Sequence, residues 1–113
     1  MSEKEKYIPN KGDIVWIDFG LSSDQQTHKH HPGLVVSRYD FKRRTRFAVI
    51  CPITSTIKDL PTRYSLPTEM DINGQVIISQ LKSFEFNSRN LLLVDHLPLK
   101  DMAKINQIID YIF

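Results

Sequence analysis

Residues 13–19 read Asp-Ile-Val-Trp-Ile-Asp-Phe, a run of β-branched and aromatic residues after the turn signal Lys11-Gly12. It is too short for a helix and predicts a first strand. Residues 20–31 are polar, with no apolar residue after Leu21. They read as an exposed loop, and loops of this length are more often functional than incidental. Pro32-Gly33 closes the loop. Leu34-Val35-Val36-Ser37 and then Arg46-Phe47-Ala48-Val49-Ile50-Cys51 read as the second and third strands, joined by a basic turn and stopped by Pro52. Thr62-Arg63-Tyr64-Ser65-Leu66 alternates as a strand with one wet face does, and Asn73-Gly74 opens a further strand over 75–79. The pattern continues through Leu81, Phe84 and Phe86. At the C-terminus the period changes: Met102, Ile105, Ile108, Ile109 and Ile112 recur every three or four residues, the mark of one apolar helix face. Pro98 suits the entry to that helix, and Asp101 adds negative charge in its first turn.

Short strands separated by Gly, Pro and Asn point to a small barrel rather than to βαβ units. The expected fold is all-β with one C-terminal helix, in a single domain spanning residues 1–113. The length of 113 residues, with 41% hydrophobic and 25% charged, suits a folded chain with a modest core that a dimer interface would supplement. No apolar run approaches the ~20 residues of a membrane span, and the charged N-terminus lacks the apolar core of an export signal. The lone Cys51 excludes an internal disulfide and, between Ile50 and Pro52, reads as a buried thiol in a reducing cytoplasm. A net charge of +2 does not by itself imply nucleic acid, but Lys42, Arg43, Arg44 and Arg46 cluster. They suit a phosphate backbone, or equally a solvated hairpin turn.

Four motifs in order carry a resemblance. Gly12-Asp13-Ile14-Val15-Trp16-Ile17-Asp18-Phe19, Pro32-Gly33-Leu34-Val35-Val36-Ser37, Cys51-Pro52-Ile53-Thr54 and Ser79-Gln80-Leu81-Lys82-Ser83 resemble successive segments of the MazF/PemK family of bacterial toxins. The resemblance covers nearly the whole chain. It implies an SH3-like small barrel and a cytoplasmic, cofactor-free homodimer that cuts single-stranded RNA as a sequence-specific mRNA interferase. It also implies a cognate antitoxin whose acidic tail occupies the RNA groove. The CcdB type of toxin shares the fold and poisons DNA gyrase, so the alternative is a non-catalytic binding module of MazF-like or CcdB-like type.

Metal-free RNA cleavage uses the substrate's own 2′-hydroxyl and needs a base, an acid and donors to the phosphate. In the family these tasks are associated with the arginine of an Arg-Pro motif and the threonine of a Pro-x-Thr segment. The threonine corresponds to Thr54, which also reads as a turn-capping residue. The arginine position holds His31. Three readings stay open: His31 with His28 or His30 supplies acid–base catalysis; Lys29 gives the positive charge while His31 positions the phosphate; or the centre binds without cutting. A zinc site is not expected from the histidines, because neighbouring side chains of an extended loop alternate in direction and a fourth ligand is wanting. Second-rank candidates for RNA binding are Phe19 as a stacking platform, Ser55 beside Thr54, and Gln80 and Lys82 on one strand face. Trp16 reads as core or dimer interface.

Overall fold

The computed structural model describes residues 7–18, 30–86 and 91–113. Strands β1 (Asp13–Asp18) and β2 (His30–Val35) are followed by helix α1 (Tyr39–Thr45) and strand β3 (Phe47–Thr54). Then come β4 (Arg63–Ser65), β5 (Gln75–Ile77), a 3-10 turn (Ile78–Gln80), β6 (Lys82–Glu85), β7 (Leu92–His96) and helix α2 (Leu99–Ile112). Among the described residues the strands form one antiparallel sheet in the order β4-β5-β3-β2-β1-β7, with β6 also pairing β3. The fold is therefore all-β and barrel-like with a terminal helix, as expected, although the sheet does not close on itself.

The central strands are apolar on both faces because both are covered. Ile14, Leu34, Cys51 and Ile53 join Val76, Ile78, Leu97, Met102 and Ile105 in a core between the sheet and α2. Val15, Ile17, Val35, Ala48 and Ile50 pack on the opposite face with Phe84 and Phe86. In α2 the stripe read from the sequence faces inward at Met102 and Ile105, while Ile108, Ile109 and Ile112 lie partly buried against the same core. Pro98 caps the helix in extended conformation. Cys51 is fully buried, and burial pushes its thiol pKa up to about 12.

Several boundaries differ from the sequence reading. The basic segment after β2 is not a hairpin turn but helix α1, which suits the helix-forming Arg43 and Arg44 with Asp40 in its first turn. Pro52 does not stop β3. That strand pairs β6 through Phe47–Ile50 and β5 through Ile53 and Thr54, so the missing N–H of Pro52 falls where the strand changes partner. Pro32 likewise sits inside β2, opposite Trp16 but ahead of the residues that pair with β3. The segment 75–79 turns after Ile77, so Gln80 lies in the 3-10 turn and Lys82 opens β6; the two do not share a strand face. Strand β7 carries no alternation to announce it, and its Leu92 and Leu93 are exposed.

Tight approach fixes the strand crossing beside the site. Gly33 pairs with Val15 and with Pro52, and a Cβ on it would come within 2.5 Å of Ile50 Cγ2. A side chain there would force β2 and β3 apart.

At the edge, Asp13 gathers the N-terminal segment and β7. Its buried carboxylate accepts from the Tyr7 hydroxyl and from Asn10 N at 2.9 Å, and His96 Nδ1 lies 2.8 Å from it. Burial, followed by the Asp13 hydrogen bond, drives the Tyr7 phenol pKa upward.

Candidate active site

The C-terminal end of β3 and the N-terminal end of β2 meet at one surface depression of about 530 Å³, lined by Trp16, His31, Pro32, Ile53, Thr54 and Ser55 from one side. Asp71, Ile72 and Asn73 complete it from the turn before β5. The register explains the convergence: β1 sets Ile17 opposite His31 and Trp16 opposite Pro32, and β2 sets Gly33 opposite Pro52, two residues short of Thr54. His31 is exposed and Thr54 half-buried.

Thr54 is held from both sides. Its Oγ1 accepts a hydrogen bond from Thr56 N at 3.1 Å, closing a local turn. A hydroxyl that accepts in this way keeps its own proton to donate, so the turn-capping bond leaves the Thr54 hydroxyl able to serve a second partner. Behind it, Gln75 pairs with Thr54 across the ladder, and its buried amide organises the following loop. Gln75 Oε1 accepts from Lys58 N at 3.0 Å and from Arg63 Nη1 at 3.1 Å, while Nε2 donates to Ser65 Oγ at 3.2 Å. Arg63 Nη1 also donates to Thr56 O at 3.0 Å. Next to it Gly74 has φ 131°, and a Cβ there would stand 2.3 Å from the Thr54 carbonyl oxygen. Only glycine lets the Asn73-Gly74 turn lie against Thr54.

The opposite wall is tied to β7. Asp71 N donates to Asp95 Oδ2 at 3.0 Å and His96 N to Asp95 Oδ1 at 2.8 Å. These two backbone donors hold the Asp95 carboxyl below the usual range. The Asp71 side chain remains exposed at the depression.

Of the residues singled out in the sequence, His31, Thr54 and Ser55 come together here. His30 belongs to β2, while Phe19, His28 and Lys29 lie outside the described residues. Gln80 and Lys82 are exposed but do not line the depression. Trp16 does line it, half-buried, rather than belonging wholly to the core. Asp71 and Asn73 are additions that the sequence marked only as the approach to a turn. No group of three or more potential metal ligands occurs among the described residues. No helix among them is long and apolar enough to cross a membrane.

Comparison with known proteins fits this geometry. The chain is 26% identical over 84 residues to the endoribonuclease toxin MazF of Escherichia coli (strain K12), covering 74% of this chain and 75% of the relative. Among solved structures, MazF of Deinococcus radiodurans superposes with a TM-score of 0.81 at 24% identity, over 95% of this chain and 97% of the other. A MazE-MazF structure from the same organism gives a TM-score of 0.83 at 25% identity, over 95% and 96% of the two chains. An endoribonuclease in complex with its cognate antitoxin, from Mycobacterial species, gives 0.77 at 20% identity over 91% and 92%. The family model described as PemK-like, MazF-like toxin of type II toxin-antitoxin system matches residues 10–113, and the chain belongs to that family.

Proposed function

We propose that the chain is the toxin of a type II toxin–antitoxin system and acts as a metal-independent endoribonuclease on single-stranded RNA. The observation that carries this reading is the meeting of an exposed imidazole, His31, with the Thr54 hydroxyl in one open depression whose other wall bears Asp71. In the proposed reaction a base removes the proton of a ribose 2′-hydroxyl. The 2′-oxygen attacks the adjacent phosphorus, and the bond to the 5′-oxygen breaks as an acid protonates that oxygen. The products are a 2′,3′-cyclic phosphate and a 5′-hydroxyl. The nucleophile comes from the substrate, so the step asks of the protein only proton transfer and charge stabilisation.

His31 stands where the family motif has arginine. A neutral imidazole accepts a proton and its protonated form donates one near neutral pH, which a guanidinium does not. His31 is therefore assigned one of the two proton transfers, with His28 or His30 as the partner for the other, and Thr54 donates to a non-bridging phosphate oxygen. Ser55 adds a second hydroxyl, and Trp16 offers an aromatic face for a base. Two partners belong to the same reading. An antitoxin would occupy the site when the toxin is silent, and a second copy of the chain would cover the exposed Leu92, Leu93, Leu99, Tyr111 and Phe113.

The test is incubation with a long single-stranded RNA in EDTA across the pH range, with the matching DNA strand as control. Wild type should release discrete fragments ending in cyclic phosphate, with a bell-shaped pH–rate profile, and leave the DNA intact. His31→Ala should lose about 100-fold or more in rate while still unfolding in one cooperative thermal transition. Intact RNA from folded, antitoxin-free protein would favour a binding module that does not cut. Unaltered cleavage by His31→Ala would remove His31 from the chemistry.

A further inference from the structure

Helix α1 presents a second basic surface that the proposed cleavage chemistry does not use. Arg38 precedes it, Arg43 and Arg44 lie on it, and Arg46 follows it; all four are exposed. Among the described residues none of the four forms an ion pair, and the helix itself carries one acidic residue, Asp40, in its first turn. Aromatic side chains alternate with these cations: Tyr39, Phe41 and Phe47 are each about 40% exposed, at 43%, 41% and 40%. At the start of the helix Lys11, Arg38, Asp40 and Phe41 line a shallow pocket of about 400 Å³.

Arg46 adds an independent observation. The helix ends at Thr45, whose hydroxyl donates to Phe41 O at 2.7 Å and accepts from Phe47 N at 3.1 Å. The next residue, Arg46, has φ 68° and is the one described residue other than glycine with positive φ. This is the position after a helix where glycine is favoured, because a side chain there costs about 1 kcal/mol. The Arg46 carbonyl accepts from Phe86 N at 3.2 Å, a bond that glycine would serve equally. The guanidinium is thus kept against a local conformational preference, at an exposed site with no intramolecular ion-pair partner among the described residues.

We propose that α1 and the start of β3 form an accessory docking surface for the backbone of single-stranded RNA, outside the cleavage depression; this rests on the ribonuclease reading. Unpaired arginines meet phosphates, and interleaved aromatic rings stack on bases of any sequence. An acidic peptide would satisfy the arginines but leave the rings without planar partners. Strand β2 links the two surfaces. From His31 in the depression to Val36, which lines the α1 pocket, the chain advances about 17 Å at ~3.3 Å per residue. A stacked strand, at ~3.4 Å per nucleotide, extends about five nucleotides past the cleaved bond to reach it, and an unstacked strand extends fewer.

The test uses RNAs of two lengths sharing one mapped cleavage site, about 6 and about 24 nucleotides, with a 2′-deoxy substitution at the cleaved position for binding. Arg43→Ala/Arg44→Ala should weaken binding of the long RNA about tenfold or more and flatten its salt dependence by about 1.4 in log–log slope, ~0.7 for each phosphate no longer neutralised. Binding and cleavage of the short RNA should not change. Arg46→Gly should weaken long-RNA binding while melting at the same or a higher temperature. Equal loss on both lengths overturns the accessory surface, as does a lowered melting temperature in Arg46→Gly, or loss of poly-glutamate binding with RNA binding intact. If wild type cuts the short RNA and the variants bind the long one normally, the inference fails while the ribonuclease reading stands. If wild type neither cuts nor binds either RNA, both fail.

Discussion

The most informative perturbation is Gln75→Leu, which removes an amide and keeps roughly its volume. Gln75 is 5% exposed and makes three side-chain hydrogen bonds, with Lys58 N, Arg63 Nη1 and Ser65 Oγ. Each is worth about 0.5–1.5 kcal/mol net. The freed donors on Lys58 and Arg63 reach solvent, because those residues are exposed or half-exposed, so the full cost of orphaned buried groups does not apply. The gross loss is about 3 kcal/mol, and the apolar burial of leucine offsets about 1 kcal/mol of it. A net loss of about 2 kcal/mol lowers the melting temperature by about 10 °C for a domain of this size. The functional effect is separable. The bonds that are lost hold the loop directly after Thr54, and a displacement of about 1 Å at a catalytic group costs up to ~100-fold in rate. At a temperature where both proteins are folded, Gln75→Leu should therefore cut a short RNA about 10- to 100-fold more slowly in kcat. Gln75→Glu should recover most of that rate, because a carboxylate accepts from both donors while the Ser65 hydroxyl turns to donate. The assay is a thermal melt beside single-turnover cleavage. If Gln75→Leu melts where wild type does, the hydrogen bonds carry no net stability. If it melts lower yet cuts at the wild-type rate, the clamp does not position Thr54.

Ile105 is fully buried between α2 and the sheet, so Ile105→Ala should cost about 2–5 kcal/mol, read by urea unfolding with an unchanged m-value. Asp13→Asn weakens a charged acceptor that meets Tyr7, Asn10 N and His96; a loss of about 1.5–3 kcal/mol is expected, and a loss near zero would remove this cluster from the account of the edge. Cys51 is held at about 12 against 9.0 unfolded, and Tyr64 at about 12 against 10.0. For both groups burial is the larger cause, and Tyr64 also donates to Asp101. Stability from the two is complete below about pH 9 and lost as pH rises toward 12, since the unfolded chain gives up these protons first. Guanidinium unfolding from pH 8 to 10.5 should show that decline, reduced in Cys51→Ala. A thiol reagent at pH 8 should label Cys51 only on unfolding.

The alternating strands and the helix stripe were legible because burial imposes a period on residue type. Met102 and Ile105 had to face inward once Pro98 set the helix start. Three features escaped for physical reasons. Helix α1 was hidden because Arg43 and Arg44 are charged on every face that a hairpin turn would also expose. Strand β7 was hidden because Leu92 and Leu93 are apolar and exposed together, which breaks the period that would reveal a strand. The continuation of β3 through Pro52 was hidden because the cost of proline depends on which neighbour the strand has at that residue, and that is a property of the sheet.

Site legibility follows the same division. Thr54 and His31 were reached through the family resemblance, whose short motifs put one two residues after Pro52 and the other directly before Pro32. That they share one depression depends on the register of β1, β2 and β3, which no local pattern contains. Asp71 escaped for a stronger reason: it lies 17 residues beyond Thr54 in the chain and reaches the site only because Gly74 lets its turn press against the Thr54 carbonyl. The glycine was legible as a turn, but its second task was not. The side chain that completes the wall is thus fixed by a backbone conformation several residues away. A substitution such as Gly74→Ala, with its Cβ 2.3 Å from that carbonyl oxygen, would disturb Thr54 and Asp71 at once without touching either.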